Sequence, residues 1–443
     1  MNKINLSAFL LFLLSLSMVA QTPNTTTQME SKKNDESIFK IDVQLRPRFE
    51  YLHGYKTLFE KGQPAGMNIN QRSRLNIFFK NNFFQTKVVL QDVRVWGDQQ
   101  QLVANEDKAT SIHEAWAEAF INKYFSLKFG RQEIIYDDHR MFGNVNWAQQ
   151  ARSHDAAILK YHSNIFKAEL AFAFNQDAFK LSGTDNKVNP KNYKAFQNLW
   201  MNYKPTDNFN ISFLLLNNGL QLGTGGTAYS QTIGPRFTYK DKNFAAHATF
   251  YYQGGYNNNQ IGTPATAQKI NAMYLAADAS YNFSKTFSAL IGFENLSGDS
   301  QLEASTEAKS FIPFYGTNHK FNGFMDYFYV GNGFGNVGLQ DYYLTLKTQT
   351  LPINFGLMPH YFMSAADVAD PKNPTQALNK YLGTEIDFFF SFNIVENMKF
   401  VGGYSQMFAT ESLRALKGAE TQATNNWAYA MIIFTPDLFI YKK

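Results

Sequence analysis

The chain has 443 residues, 44% of them hydrophobic, yet its mean hydropathy is −0.34, so apolar and polar residues are interleaved rather than segregated. There is no cysteine, which excludes disulfides and a lipidated cysteine anchor; the formal charge of +5 is modest, and no basic stretch forms a recognisable nucleic-acid-binding module. The 42 Phe and 24 Tyr exceed what a soluble domain usually carries and suit aromatic girdles at two membrane interfaces.

Residues 1–20 read as a secretory signal. Lys3 supplies the basic start, an apolar run spans Ala8 to Leu16, and a cut follows Ala20. That run is short of the roughly 20 residues a membrane-spanning helix needs, and no later segment supplies one. Membrane insertion of the exported chain would therefore use β-strands. Residues 21–37 are polar, Thr-rich and then charged, and are expected to form a disordered periplasmic leader before a barrel over 38–443.

The first strand sets the pattern. Ile41, Val43, Leu45, Pro47, Phe49 and Tyr51 alternate with Asp42, Gln44, Arg46, Arg48 and Glu50. One face is apolar and the other charged over the 9–11 residues or so of a tilted membrane strand. Asn70, Arg72, Arg74 and Asn76 repeat it in the next strand, and Glu385, Asp387, Ser391 and Asn393 near the C-terminus. Candidate strands begin near residues 40, 69, 85, 111, 125, 152, 165, 195, 209, 230, 243, 269, 287, 338, 351, 381, 398 and 425. Their links alternate between short ones, such as Asn81-Asn82, Ser163-Asn164 and Asp241-Lys242, and long ones, such as 133–151 and 297–337. Alternation alone also fits a soluble sandwich. The segregation of loop lengths favours an all-β, antiparallel transmembrane barrel of about 18 strands, with short periplasmic turns and long extracellular loops. Phe434 or Tyr441 would supply the closing aromatic.

An arginine facing lipid costs roughly 2–4 kcal/mol at the bilayer midplane. Arg46, Arg48, Arg72 and Arg74 are therefore placed in the lumen, with Lys87, Arg94 and Lys128 extending the patch. Eight of the ten arginines lie between Arg46 and Arg152, which suits an anion-attracting pore. The competing reading is a neutral lumen in which these bases pair with Asp42, Glu50, Glu114 and Glu118.

Two loops mix charge with aromatic surface: Gly130-Arg131-Gln132 with Tyr136, Asp137, Asp138, His139, Arg140, Met141, Phe142 and Gly143, then Trp147 and Arg152-Ser153-His154-Asp155; and Gly316-Thr317-Asn318-His319-Lys320 with Gly323-Phe324-Met325-Asp326. Asp137, Asp138, His319, Lys320 and Asp326 are candidates for loops folded inward as a constriction, against the alternative that these loops merely brace the wall. At these segments the sequence resembles the alginate export family of outer-membrane proteins. The resemblance implies an eighteen-stranded barrel and a narrow, arginine-rich lumen that passes an anionic polyuronate. It carries that role onto Arg46, Arg48, Arg72, Arg74, Arg131, Arg140 and Arg152, of which the last three lie in the matched segments.

The expected function is an outer-membrane channel for small anionic or saccharide solutes, embedded in outer-membrane lipid, with no cofactor, no metal and a monomer favoured. A structural or adhesive barrel with a blocked lumen is the alternative. An enzyme is disfavoured: Asp137, Asp138, His139 and His154 suggest acid–base chemistry, but neither Gly-x-Ser-x-Gly nor His-Glu-x-x-His occurs. Asp137-Asp138 could draw calcium, but their spacing matches no defined calcium loop.

Overall fold

Period-two alternation is realised as a closed wall. In a computed structural model, which describes residues 36–99, 101, 110–186, 193–223, 225–257, 267–328 and 336–443, eighteen antiparallel strands form one barrel. They are β1 (Ile38–His53), β2 (Gly66–Lys80), β3 (Phe84–Val95), β4 (Ser111–Phe120), β5 (Phe125–Gln132), β6 (His154–His162), β7 (Phe166–Phe174), β8 (Ala195–Tyr203) and β9 (Phe209–Gln221). There follow β10 (Thr227–Lys240), β11 (Phe244–Asn257), β12 (Gln268–Asn282), β13 (Phe287–Leu296), β14 (Leu339–Thr350), β15 (Ile353–Met363), β16 (Tyr381–Val395), β17 (Met398–Ala409) and β18 (Asn425–Phe434, continued by Asp437–Lys442). Every strand starts within three residues of its expected position. The expected signal and leader fall outside the described residues, apart from residues 36 and 37. Among the described residues no helix is long and apolar enough to cross a membrane.

Each strand pairs with its sequence neighbour, and β18 closes on β1 through Leu45↔Phe434, Phe49↔Ala430 and, in its continuation, Phe39↔Tyr441. Closure removes the open sheet edges that a bilayer would not tolerate. The faces separate as alternation requires: Arg46 and Arg48 are 4% and 6% exposed, whereas Leu45 and Phe49 on either side of them are 40% and 39% exposed to the lipid side.

Short turns gather at one rim, with the barrel's first and last strand ends. Asn81 Oδ1 accepts the backbone N–H groups of Phe83 and Phe84 at 2.8 and 2.9 Å, and Asn122 Oδ1 those of Tyr124 and Phe125 at 2.8 and 3.0 Å. Asn side chains thus satisfy donors that the ladder leaves unpaired. Aromatic pairs flank this rim (Phe79 with Phe84, Phe125 with Tyr161, Tyr239 with Phe244, Phe283 with Phe287) and form the periplasmic girdle.

The outward face sets one stability prediction. Leu357 on β15 projects to lipid beside Phe388 and Leu346. Leu357→Arg is expected to lower unfolding free energy in lipid bilayers by ~2–4 kcal/mol. Asn354→Arg, on the lumen face of the same strand, should change it by no more than about 0.5 kcal/mol. Equilibrium denaturant unfolding in liposomes measures both.

Candidate functional site

The lumen-facing charges of β1 and β2 converge by register. Arg46 lies directly opposite Arg72, and Gln44 opposite Arg74. Four guanidinium groups on adjacent strands would repel one another unless something between them supplied acceptors. That something is the loop between β5 and β6. Arg46 donates from Nη1 to the Asn146 carbonyl at 2.7 Å, from Nη2 to the Trp147 carbonyl at 3.2 Å, and from Nε to Gln149 Oε1 at 2.9 Å. Arg48 donates to the Trp147 carbonyl at 2.8 Å, lies 4.3 Å above the Trp147 ring and pairs with Glu50 at 3.1 Å. Arg72 donates to Asn146 Oδ1 at 2.8 Å and to Gln44 Oε1. Arg74 donates to Gln91 Oε1 at 2.7 Å and stands 4.0 Å from Glu133.

The same loop reaches the far wall. Asp138 pairs with Arg236 on β10 at 2.7 Å, and Trp200 Nε1 on β8 donates to Asp137 at 3.2 Å. β1 and β10 stand half the circumference apart in an eighteen-stranded barrel. Eight residues separate Asp138 from Asn146, enough for roughly 26–29 Å of extended chain. The loop therefore crosses the lumen. Burial pushes the Asp137 carboxyl above the ordinary aspartate range, with Asp138 adding to the effect.

The loop between β13 and β14 lies against it. Gly143 N–H donates to the Tyr315 carbonyl at 2.8 Å, Thr317 N–H to the His139 carbonyl at 2.9 Å, and Val145 N–H to Thr317 Oγ1 at 3.0 Å. Arg152 donates to the Gly316 carbonyl at 3.0 Å, Lys320 to the Asp138 carbonyl at 2.8 Å, and the Trp147 and His319 rings stack at 4.5 Å. This second loop is anchored by acids. Met325 N–H donates to Glu385 at 2.8 Å and Phe324 N–H to Asp387 at 3.3 Å, while Asp326 binds both Tyr55 Oη at 2.6 Å and His319 Nδ1 at 2.9 Å. One wall thus grips loop carbonyls with arginines, and another grips loop N–H groups with carboxylates.

The contact between the loops leaves no room at Gly143, where a Cβ would fall 2.2 Å from Thr317 Oγ1 and 2.7 Å from His139 Cβ. Gly143→Ala is expected to force the loops apart at a cost of ~1–3 kcal/mol. The change should appear as faster proteolysis within 133–153 and noisier single-channel current, with the barrel's heat-modifiable gel mobility unchanged.

Three arginines differ from expectation. Arg94 points outward, because its register partner Gln71 shares the lipid face with Ser73 and Leu75; it pairs with Asp92 at 2.7 Å. Arg131 also faces outward, on the side of Leu127 and Phe129, and meets Asp155 at 2.9 Å. Both sit at extracellular strand ends, where charge escapes the hydrocarbon. Arg140 lies in the interior but is 1% exposed and bound to Glu294 of β13 at 2.8 Å, with the Tyr274 and Phe321 rings around it. It is a strut, unavailable to a solute. Lys87 faces inward but is neutralised by Glu114 at 2.6 Å.

The anchors Arg236, Glu294, Glu385 and Asp387 did not stand out in the sequence as loop ligands, although alternation already put Glu385 and Asp387 on one face. His113, Glu114 and Glu133 bring ligand atoms within 4.8 Å of one another, but Lys87, Trp116 and Asn144 already donate to their carboxylates at 2.6, 2.9 and 2.8 Å.

The barrel encloses two inward loops, and the sequence carries a specific family signature: residues 38–426 match the alginate export model. The chain belongs to the alginate export family. Solved structures share its fold. Acinetobacter baumannii OccAB4 superposes with TM-score 0.60 at 11% identity, covering 92% of this chain and 99% of that one. Pseudomonas aeruginosa OccK2 (OpdF), solved in complex with glucuronate, gives 0.57 at 9% identity, with 90% and 97% covered. Pseudomonas aeruginosa OpdK, solved with vanillate, gives 0.57 at 8%, with 91% and 99% covered. At such identities these likenesses establish the fold. No protein of curated function matches the sequence. This alginate export family barrel is an outer-membrane channel.

Proposed function

We propose that this channel passes anionic solutes, carboxylate-bearing saccharides foremost, through a constriction framed by the two inward loops. The observation that carries this reading is the uncompensated charge of Arg46 and Arg72. Among the described residues both guanidiniums are satisfied by neutral carbonyl and amide oxygens, and neither has a carboxylate within ion-pair distance. Neutral acceptors meet the hydrogen-bonding need without cancelling the charge, so a positive field remains across the crossing loop. Arg48 and Arg74, each beside one carboxylate, add little net charge. The glucuronate and vanillate found with two structural neighbours are consistent with this chemistry, as is the family's polyuronate cargo.

Reversal potentials across a planar bilayer under a KCl gradient test the proposal. The expected result is anion preference that weakens as ionic strength rises, because exposed field lines are screened within about 10 Å at 0.1 M salt. Cation preference in the unmutated protein would overturn it, and absence of conductance would favour a barrel whose loops seal the lumen.

A further inference from the structure

The arginine cluster sits above a separate cavity that it does not explain. Near the rim of short turns, between the ends of β11 to β17, lies a cavity of about 860 Å³. Its lumen-facing lining includes Asn282, Ser288, Lys347, Asn354, Phe389 and Lys399, and Lys285 joins from the turn between β12 and β13. No carboxylate lines it. The lumen-facing Lys87 and Lys160 are answered by Glu114 and Glu118, and Lys128 by the Trp116 ring 3.9 Å away. Among the described residues Lys285, Lys347 and Lys399 have no such answer, and all three are exposed to the cavity.

The wall offers a second feature. Phe389 on β16 pairs in register with Gly356 on β15, where a Cβ would come within 2.1 Å of the Phe389 ring. The missing side chain lets the ring lie flat on the wall. The Phe389 ring is only partly buried, and its centroid is 5.8 Å from that of Phe324 in the inward loop. A flat aromatic surface beside amides, hydroxyls and ammonium groups suits a sugar ring that carries a carboxylate: the ring stacks, the amides meet hydroxyls, and a lysine meets the charge. The cavity also communicates with the loops. The contact between Phe389 of the wall and Phe324 of the loop is where the two meet.

We propose that this periplasmic vestibule is a loading site for a uronate residue of an acidic oligosaccharide, held by Lys285, Lys347 and Lys399 and stacked on Phe389. The site would collect the solute from the periplasmic side and hand it to the constriction. It rests on the anion-channel reading above, but its binding can be measured without conduction.

Isothermal titration of the detergent-solubilised protein with trigalacturonate is the test. Saturable binding is expected, weakened about tenfold or more in Lys285→Gln/Lys347→Gln/Lys399→Gln. Phe389→Ala should lose a comparable amount. A neutral trisaccharide, maltotriose, should bind at least about tenfold more weakly than trigalacturonate. Wild-type affinity in the triple variant, or no binding of trigalacturonate by the unmutated protein, would overturn the loading site even if the channel proves anion-selective. Cation selectivity with vestibule binding intact would instead overturn the channel reading alone.

Discussion

Replacing Arg46 and Arg72 together by alanine will widen the conducting path and remove most of its anion preference. Each guanidinium holds the crossing loop through several charge-assisted hydrogen bonds, and such bonds contribute about 1.5–3 kcal/mol each when made to a charged group. The Asn146 carbonyl and the side-chain oxygens of Asn146 and Gln149 lose their donors in the double variant, and the Trp147 carbonyl keeps only Arg48. The segment 144–150 then keeps Arg48, the Gln91 Nε2 bond to the Gln150 carbonyl at 3.0 Å, and the bonds that Gln149 Nε2 makes to Asn70 Oδ1 at 2.6 Å and to Arg46 O and Asn70 O at 3.2 Å. Single-channel conductance should rise, and the reversal potential should move toward that of an unselective pore. Arg46→Lys/Arg72→Lys separates the two effects. Lysine keeps the charge but cannot fork between neighbouring oxygens, so selectivity should survive while current noise from a loosened loop increases. An alanine variant whose conductance and selectivity both match wild type would show that the arginines neither hold the loop nor set the field.

The second large effect lies at Arg140. Its side chain ties the tip of the crossing loop to Glu294, which also accepts from Tyr274 Oη and Asn322 Nδ2. Arg140→Ala leaves Glu294 buried without its countercharge, a class of change that costs ~3–5 kcal/mol. The expected result is lost protection from hydrogen exchange over 136–143 and 315–323, and a lower midpoint of denaturant unfolding. Arg140→Met/Glu294→Gln should recover most of the loss, since the glutamine oxygen still accepts from Tyr274 and the unpaired buried carboxylate is gone. If the double variant is no better than Arg140→Ala, the defect comes from lost packing against Tyr274 and Phe321 and the ion pair is not its cause.

These two variants also mark where sequence reasoning reached its limit. Strand number and loop polarity were legible because lipid imposes a strict rule: each spanning segment must alternate, and each short turn must cap its own donors. Even the outward position of Arg131 was implicit, since alternation puts it with Leu127 and Phe129 rather than with Lys128. Arg94 was harder. β3 carries Val88, Val89 and Leu90 in succession, so neither of its faces is purely apolar, and only the pairing of Gln71 with Arg94 settles the side.

The inward charges were legible as a set but not as partners. Alternation says that Arg46, Arg72, Glu385 and Asp387 all face the lumen; it says nothing about what meets them there. That depends on the path of two long loops, and a loop's path follows from contacts between residues distant in sequence, such as Asp138 with Arg236 or Gly143 with Tyr315. By itself, then, the amino-acid sequence determined a membrane-spanning barrel, its strand count and most of its inner face, because the bilayer penalises each misplaced residue locally. Only the tertiary structure decided that the arginines hold a loop, that Arg140 is a strut and that three lysines at the periplasmic end have no countercharge among the described residues, because those outcomes rest on which charges the folded loops bring within hydrogen-bonding distance.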